Sequence, residues 1–275
     1  MFTPGLLVDD RYRLDAPIAD GGMGAVWGAT DTVLGRGVAV KLLHGMVDDT
    51  ARARFRSEAR AMAALRHPGV ADVYDYGETE LPDGTSVAYI AMARVDGEPL
   101  SRRIASAGSL DAAETRSVVA QAARALQAVH DAGVVHRDVK PSNMIVEPDG
   151  TVVLIDFGVA VTAGAAAQTR ADEVVGTALY MAPEQVTKDE LTPATDIYAL
   201  GAVAYHCLTG APPFAGGNAV TVALRHLQDD PPPLPAEVPA ALRHVVETAL
   251  AKDPAGRFPS AAAMAPVGAV EGQPA

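Results

Sequence analysis

Six polar side chains, His136, Arg137, Asp138, Lys140, Ser142 and Asn143, fall within eight residues of the stretch VVHRDVKPSNMIV (134–146), between apolar anchors. Buried polar groups are costly unless each has a partner. Further on, the apolar run VVLIDFG (152–158) leads into the carboxylate of Asp156. Asp138 two residues before Lys140 and five before Asn143 is a restrictive arrangement. A carboxylate there can orient an attacking hydroxyl or accept its proton, and an ammonium can neutralise a phosphoryl group in flight. Asn143 and Asp156 offer hard oxygen donors that suit Mg2+, which takes few protein ligands and completes its shell with substrate phosphates. Either one alone would read equally well as a turn asparagine or a strand-end aspartate. The set points to phosphoryl transfer, which needs rigidly placed charge rather than a covalent nucleophile.

Two more charged residues stand in apolar surroundings. Lys41 sits in GVAVKLL (37–43), one of only four lysines (Lys41, Lys140, Lys188, Lys252) in a chain with 22 Lys and Arg together. Glu58 falls on the helical face that carries Phe55, Met62 and Leu65. A strand lysine can snorkel to an edge, and a helix glutamate can pair with an arginine of its own helix. An ion pair between Lys41 and Glu58 satisfies both residues and presents an ammonium to a phosphate. Upstream, IADGGMGAV (18–26) places Gly21, Gly22 and Gly24 between strand-like pieces. Glycines there let backbone amides approach a phosphate, although a plain hairpin turn has the same composition. Ala19 replaces the first glycine of a G-x-G-x-x-G. No G-K-[ST] follows, so neither a P-loop nor a dinucleotide-binding turn is indicated.

Elements to position these groups are legible. The first ninety residues are strand-rich: AVWGAT, GVAVKLL, VADVYDYG and SVAYIAMA, with one helix at about 50–66. From about 98 the pattern turns helical, with helices expected at 111–131, 196–208, 217–228 and 238–251. Asp111 and Glu114 stand in capping-box spacing. RVDG (94–97) is the expected crossing point between the halves. The formal net charge of −12 disfavours a nucleic acid or an anionic membrane as partner. Cys207, the single cysteine, lies in the apolar stretch IYALGAVAYHCL and reads as a small buried hydrophobe. That stretch is too short for a membrane span. The N-terminus lacks the order of a signal peptide, so the chain reads as soluble and cytosolic in character.

In order and spacing, these pieces resemble eukaryotic-like (Hanks-type) protein kinases. HRDVKPSN, DFG and VAVK look like the catalytic loop, metal-binding triplet and strand lysine. MAPEQ (181–185) matches the end of the activation segment, ATDIYALG (194–201) a helix start, and KDPAGRF (252–258) the closing arginine motif. The set covers roughly 11–262 and is most similar to bacterial serine/threonine kinases. A small-molecule phosphotransferase of related fold generally lacks the last two motifs. A pseudokinase scaffold is the other alternative, weakened by the presence of every catalytic residue.

The resemblance implies an α+β, bilobal protein-kinase fold: a small β-rich lobe with one key helix (11–94), a larger mainly helical lobe (95–264), and a tail or linker start (265–275). It implies ATP and Mg2+, with Mn2+ as an alternative, and transfer to Ser/Thr hydroxyls of proteins. Lys41, kept in place by Glu58, would hold the α- and β-phosphates. Asn143 and Asp156 would hold metal, Asp138 would orient the acceptor, and Lys140 would steady the γ-phosphate. The nucleotide site would take Ile18, Gly21, Gly22, Gly24, Val26, Ala39 and Ile145, with Met92 as gatekeeper and adenine bonded to the backbone of Ala93 and Val95. Glu184 and Arg257 would form a buried pair, Asp196 would brace the catalytic loop, and Thr177 would contact Asp138 and Lys140. Arg137 suggests autophosphorylation at Thr169, perhaps with Thr162. Relatives commonly dimerise through the small lobe, and many carry a membrane span and sensor beyond the kinase.

Overall fold

The computed structural model describes residues 2–21, 24–43, 53, 55–56, 59–60, 62–81, 84–156 and 176–265. They fall into two compact units, one within 1–66 and 71–95, the other mostly within 96–158 and 174–275 with 67–70.

The first unit is a six-stranded antiparallel sheet in the order β1-β2-β3-β4-β6-β5. Its strands are β1 (Leu7–Val8), β2 (Tyr12–Gly21), β3 (Gly24–Asp31), β4 (Arg36–Leu43), β5 (Val73–Glu80) and β6 (Ser86–Ala93). Successive side chains of a strand point to opposite faces. One face therefore carries Trp27, Val38, Val40, Leu42, Tyr89 and Ala91, all buried in a single apolar cluster with Tyr12 and Leu14. The other face receives the alternate residues, Val26, Ala39, Lys41 and Met92 among them. β2 goes beyond the expected strands. Pro17 cannot donate to a ladder, and the β2–β3 register shifts on both sides of it, which hides the strand from simple alternation. Described residues of the expected helix at 50–66 are helical, with Phe55, Ala59 and Met62 buried. The Phe55 ring lies 5.9 Å from that of Tyr76.

The second unit is built on helices α1 (Leu100–Ala107), α2 (Ala112–Asp131), α3 (Pro183–Thr187), α4 (Pro193–Thr209), α5 (Ala219–Gln228) and α6 (Ala240–Ala249). Asp111 caps α2 by accepting from the Glu114 N–H at 2.8 Å. α4 is buried on nearly every face, as an all-round apolar helix must be. Cys207 is fully buried within it, and burial pushes its thiol up to about 12, so it is inert at neutral pH. A three-stranded sheet joins β7 (Glu98–Pro99), β8 (Met144–Val146) and β9 (Val152–Leu154) in that order.

Candidate active site

The β8–β9 hairpin brings two distant residues to one end of the second unit. Met144 pairs with Leu154, and the Ile155 N–H donates to the Asn143 carbonyl at 2.9 Å. Asn143, just before β8, and Asp156, just after β9, therefore become neighbours: Asn143 Nδ2 lies 3.5 Å from the Asp156 carbonyl oxygen. The same amide donates to Asp138 twice, at 2.8 Å to its carbonyl and 3.0 Å to Oδ2. Lys140 Nζ meets that Oδ2 at 2.8 Å and donates to Thr177 Oγ1 at 3.1 Å. Thr177 thus touches Lys140 directly, and its link to Asp138 runs through that ammonium.

Arg137 and Asp156 are two of five described non-glycine residues with positive φ, at 68° and 57°. Such conformations persist only where the surroundings over-determine them. Around Arg137 the means are visible. Asp196, fully buried at the start of α4, accepts the His136 and Arg137 N–H groups, each at 2.8 Å, and His130 Nε2 at 2.7 Å. The Asp138 N–H donates to His136 Nδ1 at 3.3 Å. Nδ1 can accept only if the ring is neutral, and burial does hold the His136 imidazole below its ordinary range. The loop's backbone is set before any ligand arrives.

α3 is tied down next to this loop. Glu184 is met by Arg257 through two bonds, 2.7 and 2.9 Å, and by the Thr195 hydroxyl at 2.9 Å. Burial pushes the Glu184 carboxyl up, but these bonds pull it further down, so it ends below the ordinary carboxylate value. Arg257 also donates to the carbonyls of Ala251, Ala194 and Lys252, which uses all five of its N–H groups.

In the first unit, Lys41 is paired in register with Val26, and Ala39 with Met92, so these four share the sheet face opposite the apolar cluster. Gly24 has a packing reason to be glycine: an added Cβ would stand 2.1 Å from the Leu42 carbonyl oxygen. The Ala93 N–H is taken by the Asp72 carbonyl at 2.8 Å, so a ligand bond at Ala93 falls to its own carbonyl. Gly22, Glu58, Thr162 and Thr169 lie outside the described residues, as does the tail at 266–275. Ile18 stands exposed on β2, and Ile145 is buried on β8.

Comparison with known proteins decides the family. The protein kinase domain family matches residues 12–266. The chain belongs to it. This protein kinase domain is 46% identical over 258 residues to serine/threonine-protein kinase PknA of Mycobacterium tuberculosis, covering 93% of this chain and 60% of PknA. It is 43% identical over 271 residues to the probable serine/threonine-protein kinase PknB of Corynebacterium glutamicum, covering 94% and 42%. The crystal structure of the M. tuberculosis PknI kinase domain matches with a TM-score of 0.75 and 29% identity, covering 98% of both chains. The domain is thus of the bacterial serine/threonine class, with a β-sheet lobe and a helical lobe. Membership brings use of ATP and a divalent metal. The chain spans about 60% of the length of the curated PknA relatives it matches. Among the described residues, no helix is long and apolar enough to cross a membrane.

Three supporting residues escaped the reading of the sequence. His130, 66 positions from Asp196, gave no local signal. Thr195, beside Asp196, looked like an ordinary helix residue. Gln185 was visible as the third residue after Ala182, the spacing in which a side chain reaches back to a helix start.

Proposed function

We propose that this domain is an active serine/threonine protein kinase that moves the ATP γ-phosphate to Ser/Thr hydroxyls of proteins in bacterial signalling. The observation that carries this is the valence of Asp138. Its Oδ2 is taken by Lys140 and Asn143, whereas Oδ1 accepts no hydrogen bond from the described residues. That oxygen is left to meet an acceptor hydroxyl, in a carboxylate already fixed in orientation. Bound ATP and metal supply the phosphoryl group and neutralise its charge.

In this reading Asn143 and Asp156 hold the metal, Mg2+ in preference to Mn2+, because their oxygens are hard donors. The donor set fits: among the described residues no cluster of three His, Cys, Asp or Glu side chains builds a site of its own, so phosphates must complete the shell. Lys140 steadies the phosphoryl group. Lys41, held by Glu58, binds the α- and β-phosphates. Ile18, Val26, Ala39, Met92 and Ile145 contact the nucleotide, the backbone of Ala93 and Val95 binds adenine, and Gly21, Gly22 and Gly24 lie over the phosphates. The lobes run 11–94 and 95–264.

Thr169, with Thr162, is the proposed autophosphorylation site, checked by intact mass after ATP treatment. A homodimer through the first unit is the proposed assembly, favoured by exposed Val33 and Leu34 close to the Arg11–Asp31 ion pair. Sedimentation of Leu34→Asp against the parent chain tests it. The domain is placed on the cytoplasmic side, tethered to the membrane through a longer chain. Phosphate transfer from labelled ATP to a basic protein, with Asp138→Asn as control, tests the activity. Undiminished label in the control would refute the assignment of Asp138.

A further inference from the structure

Gln185 uses both ends of its side-chain amide. Oε1 accepts from the Ala182 N–H at 2.9 Å, which fastens the start of α3, and Nε2 donates to the Arg137 carbonyl at 3.0 Å. That carbonyl belongs to the peptide unit between Arg137 and Asp138. The other end of the same unit, the Asp138 N–H, is held by the His136 ring, and the Arg137 N–H is held by Asp196. Gln185 therefore makes the one side-chain bond to the Arg137 carbonyl among the described residues. Arg137 sits at φ 68°, a region an arginine does not choose by itself. The orientation of this peptide plane sets where the Asp138 carboxylate points. α3 is a firm base for the clamp, because the neighbouring Glu184 is locked by Arg257.

We propose that Gln185 is a positioning residue for phosphoryl transfer: it fixes the Arg137–Asp138 peptide plane, and through it the aim of Asp138, from the end of the activation segment. The inference rests on Asp138 acting as proposed above. Two substitutions separate this role from helix capping. Gln185→Glu keeps the acceptor for the Ala182 N–H but has no donor for the Arg137 carbonyl. Gln185→Met keeps the volume without charge and loses both bonds.

A cap alone predicts that the glutamate variant matches the parent in melting temperature and in kcat. Positioning predicts an unchanged melting temperature but a kcat about 3- to 10-fold lower, the range of one partly exposed hydrogen bond, with KM for ATP unchanged. The methionine variant shares the loss of kcat and also melts lower. Parental kcat in the glutamate variant, or in the methionine variant while the glutamate variant is slow, would overturn the proposal, the second pattern assigning the effect to added charge.

A crystal structure of Gln185→Met gives a readout independent of activity. Arg137 should leave its left-handed φ, and the Asp138 carboxylate should part from Lys140 and Asn143; both staying in place would overturn the inference. If the parent chain transferred no phosphate, the kinase reading would fail while the crystallographic result still decided the clamp.

Discussion

Two carboxylate–cation pairs lie in the helical unit at nearly the same distance, Glu184–Arg257 at 2.7 Å and Asp138–Lys140 at 2.8 Å. Their surroundings are opposite. The Arg257 side chain is 0% exposed and Glu184 6%, and every guanidinium N–H is used. Lys140 and Asp138 are 21% and 18% exposed, and each keeps bonding capacity that no described residue fills. Burying a charge pair is tolerable only when the remaining valences are satisfied. A pair meant to meet a substrate must leave some unsatisfied. Saturation marks the brace, and spare valence marks the chemistry.

The comparison breaks first at Asp138. Asn at this position keeps the shape but loses charge and proton acceptance, so kcat should fall about a hundred- to ten-thousand-fold with little change in stability. Arg257→Leu should do the reverse. It strands the Glu184 carboxylate in the interior and should cost about 3–5 kcal/mol in urea unfolding, with much of the loss recovered when Glu184→Leu is added. A loss below about 1 kcal/mol in Arg257→Leu would contradict the view of this pair as a closed brace.

The open pair was legible in the sequence because Asp138, Lys140 and Asn143 are close along the chain and their chemistry constrains their types. The closed pair was expected only by family resemblance: Glu184 and Arg257 are 73 positions apart, and nothing local links them. β3, β4, β6 and α2 followed from periodicity and, for α2, a capping residue. β2 was hidden by Pro17. α1 was hidden because Pro99 stands at its start in place of a capping side chain and only Leu100 and Ile104 are buried. The clamps on the catalytic loop, His130 and Gln185, are tertiary hydrogen bonds without a sequence period, so pattern reading had no access to them.

Acid should strike the scaffold of the helical unit before the open pair. His226 on α5 shares a contact with the Tyr198 hydroxyl through Nδ1 at 2.9 Å and reaches the Leu179 carbonyl through Nε2 at 3.0 Å. The carbonyl only accepts, so Nε2 carries the proton and Nδ1 accepts from Tyr198. Burial, with Lys252 nearby, lowers its pKa from 6.5 to about 4. The unfolded chain therefore takes up a proton below about 6.5 that the folded chain refuses until about 4. Stability from this group is present above 6.5 and is lost as pH falls through that window, by about 3 kcal/mol in all. His226→Gln can keep both bonds without titrating. Its stability relative to the parent should rise by about 2–3 kcal/mol between pH 7.5 and pH 4, measured by urea unfolding. A constant difference would mean that the ring is free to charge in the folded state.

The finest test concerns the third member of the open pair. The Thr177 hydroxyl accepts from Lys140 at 3.1 Å, so the ammonium is shared between a carboxylate and a neutral oxygen. Thr177→Val preserves the shape and removes that oxygen, leaving Lys140 drawn toward Asp138 alone. One partly exposed hydrogen bond of this kind is worth about 0.5–1.5 kcal/mol, so kcat should fall about 3- to 10-fold. Thr177→Ser restores the acceptor and should restore most of the rate. If the valine variant kept full kcat, the position of Lys140 would be set by Asp138 without help. The spare valence of the pair would then be unused on that side.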